Sequence, residues 1–315
     1  MNQLLYFISV CTALLFGRAD QSFRLQPKAN KPYLNDSVSS VIPFTRAGNL
    51  IMVQARVDTL EGNFILDTGA PHLVLNVTYF RDYPITTTHD EDQTGISGSS
   101  AGVSRTKLDS FQLGELKYEQ PNADMANLGH IENSKGVKIL GLIGLDLLRN
   151  CELIIDYEQN LIYLHRISKK EASGYQHVML NDTSSYMIIP FDLVDSRIIV
   201  NTNMKGKKLK FVVDCAAESN VLDSRLPNKI LEQVTITRRV VLTGANNKKV
   251  DALYGDIQSL RIGNEETGKL PVLVTNLENT CFSYAGCVDG VLGFDFLSLH
   301  KVGFNFVKRK MYIWK

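Results

Sequence analysis

Two halves of this chain keep one register. Asp67 and Asp214, each following an apolar run, stand 147 residues apart. The turn glycines Gly114, after Leu113, and Gly263, after Ile262, lie 149 residues apart. Gly141, Gly144, Asp146 and Leu148 return as Gly290, Gly293, Asp295 and Leu297, again 149 residues on. Each copy then leads into a closing pair of strand-like segments, 151–166 and 301–315. Chance likeness does not hold register over so many separate points. A period this long means duplicated domains, because the units of a solenoid span only a few tens of residues. Whatever fold one half adopts, the other must repeat.

Locally the pattern is strand. Segments 49–57, 62–66, 198–204 and 207–213 are short, rich in β-branched residues and bounded by Gly, Asn, Asp and Lys, the punctuation of hairpins. Helical periodicity is scarce. The best candidates are single turns at 144–148 and 293–297, after the glycines. The expectation is an all-β chain with lobes at 41–166 and 186–315, joined by a polar, exposed linker at 167–185.

Residues 1–19 read as an export signal. The apolar run 4–16 has signal-peptide length, too short for a bilayer span of about 20 residues, and Gly17 and Ala19 suit cleavage after Ala19. The alternative is a buried N-terminal helix. A lipoprotein reading at Cys11 fails, since bulky Val10 precedes it and the apolar run continues past it. Residues 20–40 are a polar linker or a propeptide. No later stretch is apolar enough to cross a membrane, so an extracytoplasmic mature chain is expected: secreted, periplasmic or at the cell surface.

Charge argues against polyanionic partners. With 34 basic and 33 acidic side chains the net charge is +1, so no overall field draws nucleic acid or an anionic membrane. The basic runs 205–210 and 308–310 read as hairpin turns or charged edges. Four cysteines remain after cleavage. Cys281 and Cys287 could close a small loop in an oxidising compartment, while Cys151 and Cys215 lie in apolar contexts and suit free thiols. No CxxC or HExxH occurs, so no metal site or cofactor is expected. His72, beside the first acidic turn, reads as a loop histidine.

The two acidic segments are FILDTGAPHLVLN at 64–76 and FVVDCAAESNVLDS at 211–224. The first, followed by a glycine-rich hairpin and by LIGLDLL, resembles the retropepsin and pepsin aspartic peptidases. The second half repeats the layout with DCAA and GVLGFDFL, so the resemblance covers the mature chain. Small lobes without long insertions make it most similar to exported two-lobe relatives of retropepsins. The resemblance implies two acid-protease-type β-barrel lobes with a cleft between them, catalytic Asp67 and Asp214, and a polypeptide substrate or peptide ligand. It also implies a monomer, since the duplicated chain carries both aspartates.

The chemistry suits those residues. Two carboxylates about 3 Å apart cannot both ionise easily; they share a proton, one acting as base toward water and the other as acid toward the carbonyl. Glycine after the aspartate allows a tight turn and a close approach of its N–H. A threonine hydroxyl both donates and accepts, so it can bridge backbone groups across two lobes. Thr68 and Gly69 match the family's supporting turn. Cys215, a weak donor and acceptor, and Ala216, with its added methyl, depart from it. Glu218 either pairs locally or faces solvent.

The segment 94–103 holds Gly95, Gly98 and Gly102, which suits the tip of a flap but also an ordinary surface loop. Residues 243–248 are its counterpart. Residues 98–102 also match G-x-S-x-G, but Ser100 lacks the strand-to-helix setting of a serine nucleophile. Two functions remain: an aspartic endopeptidase using an Asp67/Asp214 dyad, and a non-catalytic peptide-binding pseudopeptidase that keeps only the cleft.

Overall fold

The computed structural model describes residues 4–5, 38–89, 93–95, 98–100, 103–243, 249–278 and 287–315. The rest of residues 1–19, expected to be an export signal, and residues 20–37, expected to be a linker or propeptide, lie outside them.

Each lobe is built around a tight hairpin. In the first, Leu50–Val57 pairs antiparallel with Leu60–Leu66, and Asp58 takes the left-handed turn position at φ 51°. In the second, Arg197–Met204 pairs with Lys207–Val213. There Lys205 and Gly206 both have positive φ, the geometry that matches strand twist across a two-residue turn. The basic run is thus a hairpin turn.

The glycine motifs explain how each lobe closes. Gly141–Ile143 lies parallel to Leu60–Leu66 and antiparallel to Leu73–Asn76, and Gly290–Leu292 repeats this between Lys207–Val213 and Val221–Asp223. A Cβ on Gly141 would sit 2.7 Å from the Phe64 ring, and one on Gly290 would run into the Phe211 ring. Only hydrogen fits there. The Phe64 ring in turn meets Phe111 edge-on, with centroids 5.4 Å apart. The helical turns expected after the glycines are present as Leu145–Leu147 and Phe294–Leu297.

The lobes meet in a six-stranded antiparallel sheet. Its order is Ser39–Ala47, Leu161–Arg166, Cys151–Asp156, Val302–Asn305, Lys310–Trp314, Tyr186–Val194. Each lobe supplies three strands, and the central pairing of Ile154 with Gly303 joins the halves. Both hairpin turns expected at Gly114 and Gly263 form, with φ 58° and 59°.

Three features differ from the sequence reading. The first strand takes in Ser39 and Ser40, opposite His165 and Leu164, so the linker expected to run to residue 40 stops earlier. Residues 167–185 are not exposed throughout: His177 and Leu180 are buried, and Tyr175 stacks on His165 at 3.8 Å. Apolar surface on the outer face of the six-stranded sheet draws this segment down, Leu180 packing with Tyr186 and Tyr312. A helix also forms at Gly129–Lys135, where no amphipathic pattern marks it; Gly136, at φ 67°, ends it by donating its N–H to the Glu132 carbonyl. Among the described residues no helix is long and apolar enough to cross a membrane.

Candidate active site

Each acidic turn follows the end of a buried strand. Leu60–Leu66 delivers Asp67, whose backbone N–H donates to the Ile143 carbonyl at 3.0 Å; Lys207–Val213 delivers Asp214, whose N–H donates to Leu292 at 3.0 Å. The helical turns behind the glycines clamp the loops. Leu145 N–H donates to Ala70 O at 2.9 Å and Phe294 N–H to Ala217 O at 2.8 Å.

The carboxylates are fully buried and held from below. Asp67 Oδ1 accepts the N–H groups of Gly69 and Ala70, both at 2.9 Å, and Asp214 Oδ1 accepts that of Ala216 at 2.8 Å. On both residues Oδ2 has no protein partner. A Cβ added to Gly69 would stand 2.6 Å from Asp214 Cγ. The first turn therefore presses directly on the second carboxylate.

The lobes also exchange hydrogen bonds beneath the pair. Thr68 Oγ1 donates to Val213 O at 3.1 Å and accepts the Cys215 N–H at 2.9 Å. In return, Cys215 Sγ donates to Leu66 O at 3.2 Å. Sulfur thus takes the position in which a hydroxyl was expected, and the crossed arrangement is complete on both sides. Cys215 and Cys151 are free and buried. Cys287 is disulfide-bonded; Cys281 lies outside the described residues.

Burial raises Asp67 well above the ordinary carboxylate range, and the nearby Asp214 charge adds to this, against the opposing Gly69 and Ala70 N–H groups and the Arg197 guanidinium. Burial also raises Asp214, opposed by the Ala216, Ala217 and Gly69 N–H groups and by Arg197. Desolvation and the neighbouring negative charge thus act in the same direction on Asp67. Burial likewise keeps Cys215 and Tyr157 neutral by pushing both up.

Glu218 turns out to pair across the lobes. Its carboxylate takes Lys135 Nζ at 2.6 and 2.7 Å, and its backbone carbonyl accepts Asn49 Nδ2 at 3.0 Å. His72 pairs with Asp146 on the other side, which also takes Arg149 Nε at 2.7 Å. Sequence reasoning missed Lys135, Tyr157 and Arg197. A signal for Arg197 existed, because in the 147-residue register it falls on Leu50.

Gly95 and Gly98 face each other across a short hairpin, Gln93–Gly95 with Gly98–Ser100, and Leu4–Leu5 runs parallel beside its first strand. Gly102 and residues 244–248 lie outside the described residues. The strand Val103–Lys107, and no helix, is the next described element after Ser100, so the G-x-S-x-G segment lacks its required setting. No metal-binding group of three or more His, Cys, Asp or Glu occurs among the described residues.

A family model for aspartyl proteases matches residues 53–147 and again 200–296. No curated protein matches the chain. Among solved structures, the aspartic proteinase from Irpex lacteus superposes with a TM-score of 0.52 at 13% identity, over 88% of this chain and 97% of that one. At that identity the likeness is one of fold.

Proposed function

This chain belongs to the aspartyl protease family, and on that footing we propose that it is an endopeptidase whose Asp67 and Asp214 jointly activate a water. The observation that carries the reading is the shape of the pair. Both carboxylates are buried, each has one oxygen fixed by turn N–H groups, and each has the other oxygen without a protein partner.

Those two open oxygens are where a water would bind. With one proton on the pair, the ionised carboxylate takes a proton from the water as it attacks the peptide carbonyl, while the protonated one donates to the carbonyl oxygen. The resulting diol collapses as a proton passes to the leaving nitrogen, and the dyad returns to its starting state. No bond to the protein forms. Polypeptide is the substrate, one chain supplies both aspartates, and the apolar segment 4–16 supports export before the enzyme acts.

Ala216 is the observation that favours the other reading, a peptide-binding protein without turnover, since the first turn has glycine there. Against it stand the complete crossed hydrogen bonds and the retained Asp214. The test is to incubate the purified chain with an unfolded polypeptide from about pH 3 to about pH 8 and identify products by mass spectrometry. Cleavage that a statine-type mimic blocks and that Asp67→Asn loses is expected. Equal cleavage by Asp67→Asn would remove the proposal, and peptide binding without product at any pH would establish the alternative.

A further inference from the structure

Two of the residues that set the second acidic turn apart from the first are turned toward the opposite lobe. Ala216 stands where the first turn has Gly69, and Glu218 where it has Pro71, each 147 residues on. Ala216 is buried in a hydrophobic cluster whose other members, Leu50, Met52, Ala70, Leu128 and Ile131 among them, all come from the first lobe. Its methyl is seated across the interface. It sits there without backbone strain, since Ala216 does not take a positive φ. The exchange does not work in reverse, because a methyl on Gly69 would run into the Asp214 carboxylate.

Glu218 reaches the same lobe two residues later. Its carboxylate takes Lys135 Nζ at 2.6 and 2.7 Å and the Asn49 N–H at 3.3 Å, and its carbonyl accepts Asn49 Nδ2 at 3.0 Å. The groups that meet Glu218 lie on the elements that enclose Ala216. The helix Gly129–Lys135 supplies Ile131 to the cluster and Lys135 to the carboxylate. The turn after Ser39–Ala47 supplies Ala47 and Leu50 to the cluster and Asn49 to Glu218. Gly48, at φ 62°, lets that turn close over the ion pair, where a Cβ would stand 3.1 Å from both Glu218 Oε2 and Lys135 Nζ.

We propose that Ala216 and Glu218 are positioning residues, which lock the second acidic turn onto the first lobe and so fix where Asp214 stands against Asp67. This rests on the peptidase reading above. Apolar burial holds the turn down but has no direction, whereas a buried, charge-assisted pair fixes its orientation. The two act on one short piece of backbone. Asp214 Oδ1 accepts the Ala216 N–H at 2.8 Å, and Asp67 Oδ1 accepts the N–H of Ala70 at 2.9 Å; Ala70 and Ala216 belong to the same cluster. Each carboxylate is therefore tied to a residue of one shared apolar seat. The departure from glycine adds a grip that the first turn lacks.

The test is the variant that restores the residue of the first turn. In the full chain, Ala216→Gly should lower kcat at least about tenfold and leave KM within about twofold, because the change misplaces a reacting group and removes no contact to substrate. Glu218→Gln should do the same. The double variant should fall little below the slower single one, since both changes free one turn. Turnover at or above the original rate in Ala216→Gly, folded by circular dichroism, would overturn the proposal, as would losses that multiply in the double variant. A second readout does not need turnover. By hydrogen exchange with mass spectrometry, the backbone N–H groups of residues 214–218 should exchange at least about fivefold faster in both single variants, and exchange at the original rate in Glu218→Gln would overturn the lock. If the unmodified chain cleaves nothing, the peptidase reading fails on its own, and the exchange rates still decide for or against Ala216 and Glu218.

Discussion

At position 215 a thiol stands where the first turn has the hydroxyl of Thr68, and the crossed contact survives with Sγ 3.2 Å from Leu66 O. Cys215→Thr should therefore keep cleavage within about threefold, whereas Cys215→Ala removes one buried hydrogen bond and should cost about 1 kcal/mol in urea unfolding. Gly69→Ala is a different matter. Its new methyl would land against Asp214 Cγ, so the expected result is a folded protein with turnover reduced at least about 100-fold. A rate near the original in that variant would show that the two turns are not pressed together as described. The aspartates were legible in the sequence, since an acidic residue ending an apolar strand, followed by Thr and Gly, has a local signature. That sulfur would complete the grip was not, because donor reach depends on how closely two lobes approach, and spacing along a chain does not report it. Glu218 was opaque for the same reason: its partner Lys135 comes from the other lobe, at the end of a helix without an amphipathic pattern.

Among the elements, the strands Gly141–Ile143 and Gly290–Leu292 locate the site, and their glycines set how near the acidic turns they run. A Cβ on Gly144 would meet the His72 carbonyl carbon at 2.6 Å and one on Gly293 would meet the Ala217 carbonyl oxygen at 2.5 Å. Gly144→Ala should cost about 3 kcal/mol in chemical denaturation; a loss below about 0.5 kcal/mol would show that the loop yields. These strands were readable because the repeat in register exposed them. The hairpins were readable for another reason, as turn residues punctuate β-branched runs. What periodicity did not reveal was Gly129–Lys135, which buries only Ile131 against the lobe, nor the covering path of residues 167–185, whose polar composition hides the few residues that anchor it.

For the whole molecule, two lobes share one six-stranded sheet and a buried ion pair. Lys135 and Glu218 side chains are 10% and 6% exposed, so Lys135→Met strands a carboxylate in a dry interface. A loss of about 3 to 5 kcal/mol is expected on unfolding, with a single transition if the lobes unfold together. The two buried carboxyls make stability depend on pH in a definite direction. Both are raised by burial, so their contribution is full below the ordinary carboxylate range and is lost as pH rises through the raised values. Melting temperature should therefore fall over that interval, and Asp67→Asn should flatten the fall. The duplication, readable in the sequence alone, accounts for the symmetry of the molecule; the departures from it include Arg197 opposite Leu50, Cys215 opposite Thr68 and Ala216 opposite Gly69. In the proposed reaction Asp214, in the altered turn, works together with Asp67. The most direct measurement is the cleavage rate of one defined peptide by the purified chain and by Asp214→Asn. A loss of about 10²- to 10⁴-fold with the fold retained is predicted, and an Asp214→Asn variant that cleaves at the original rate would contradict the account.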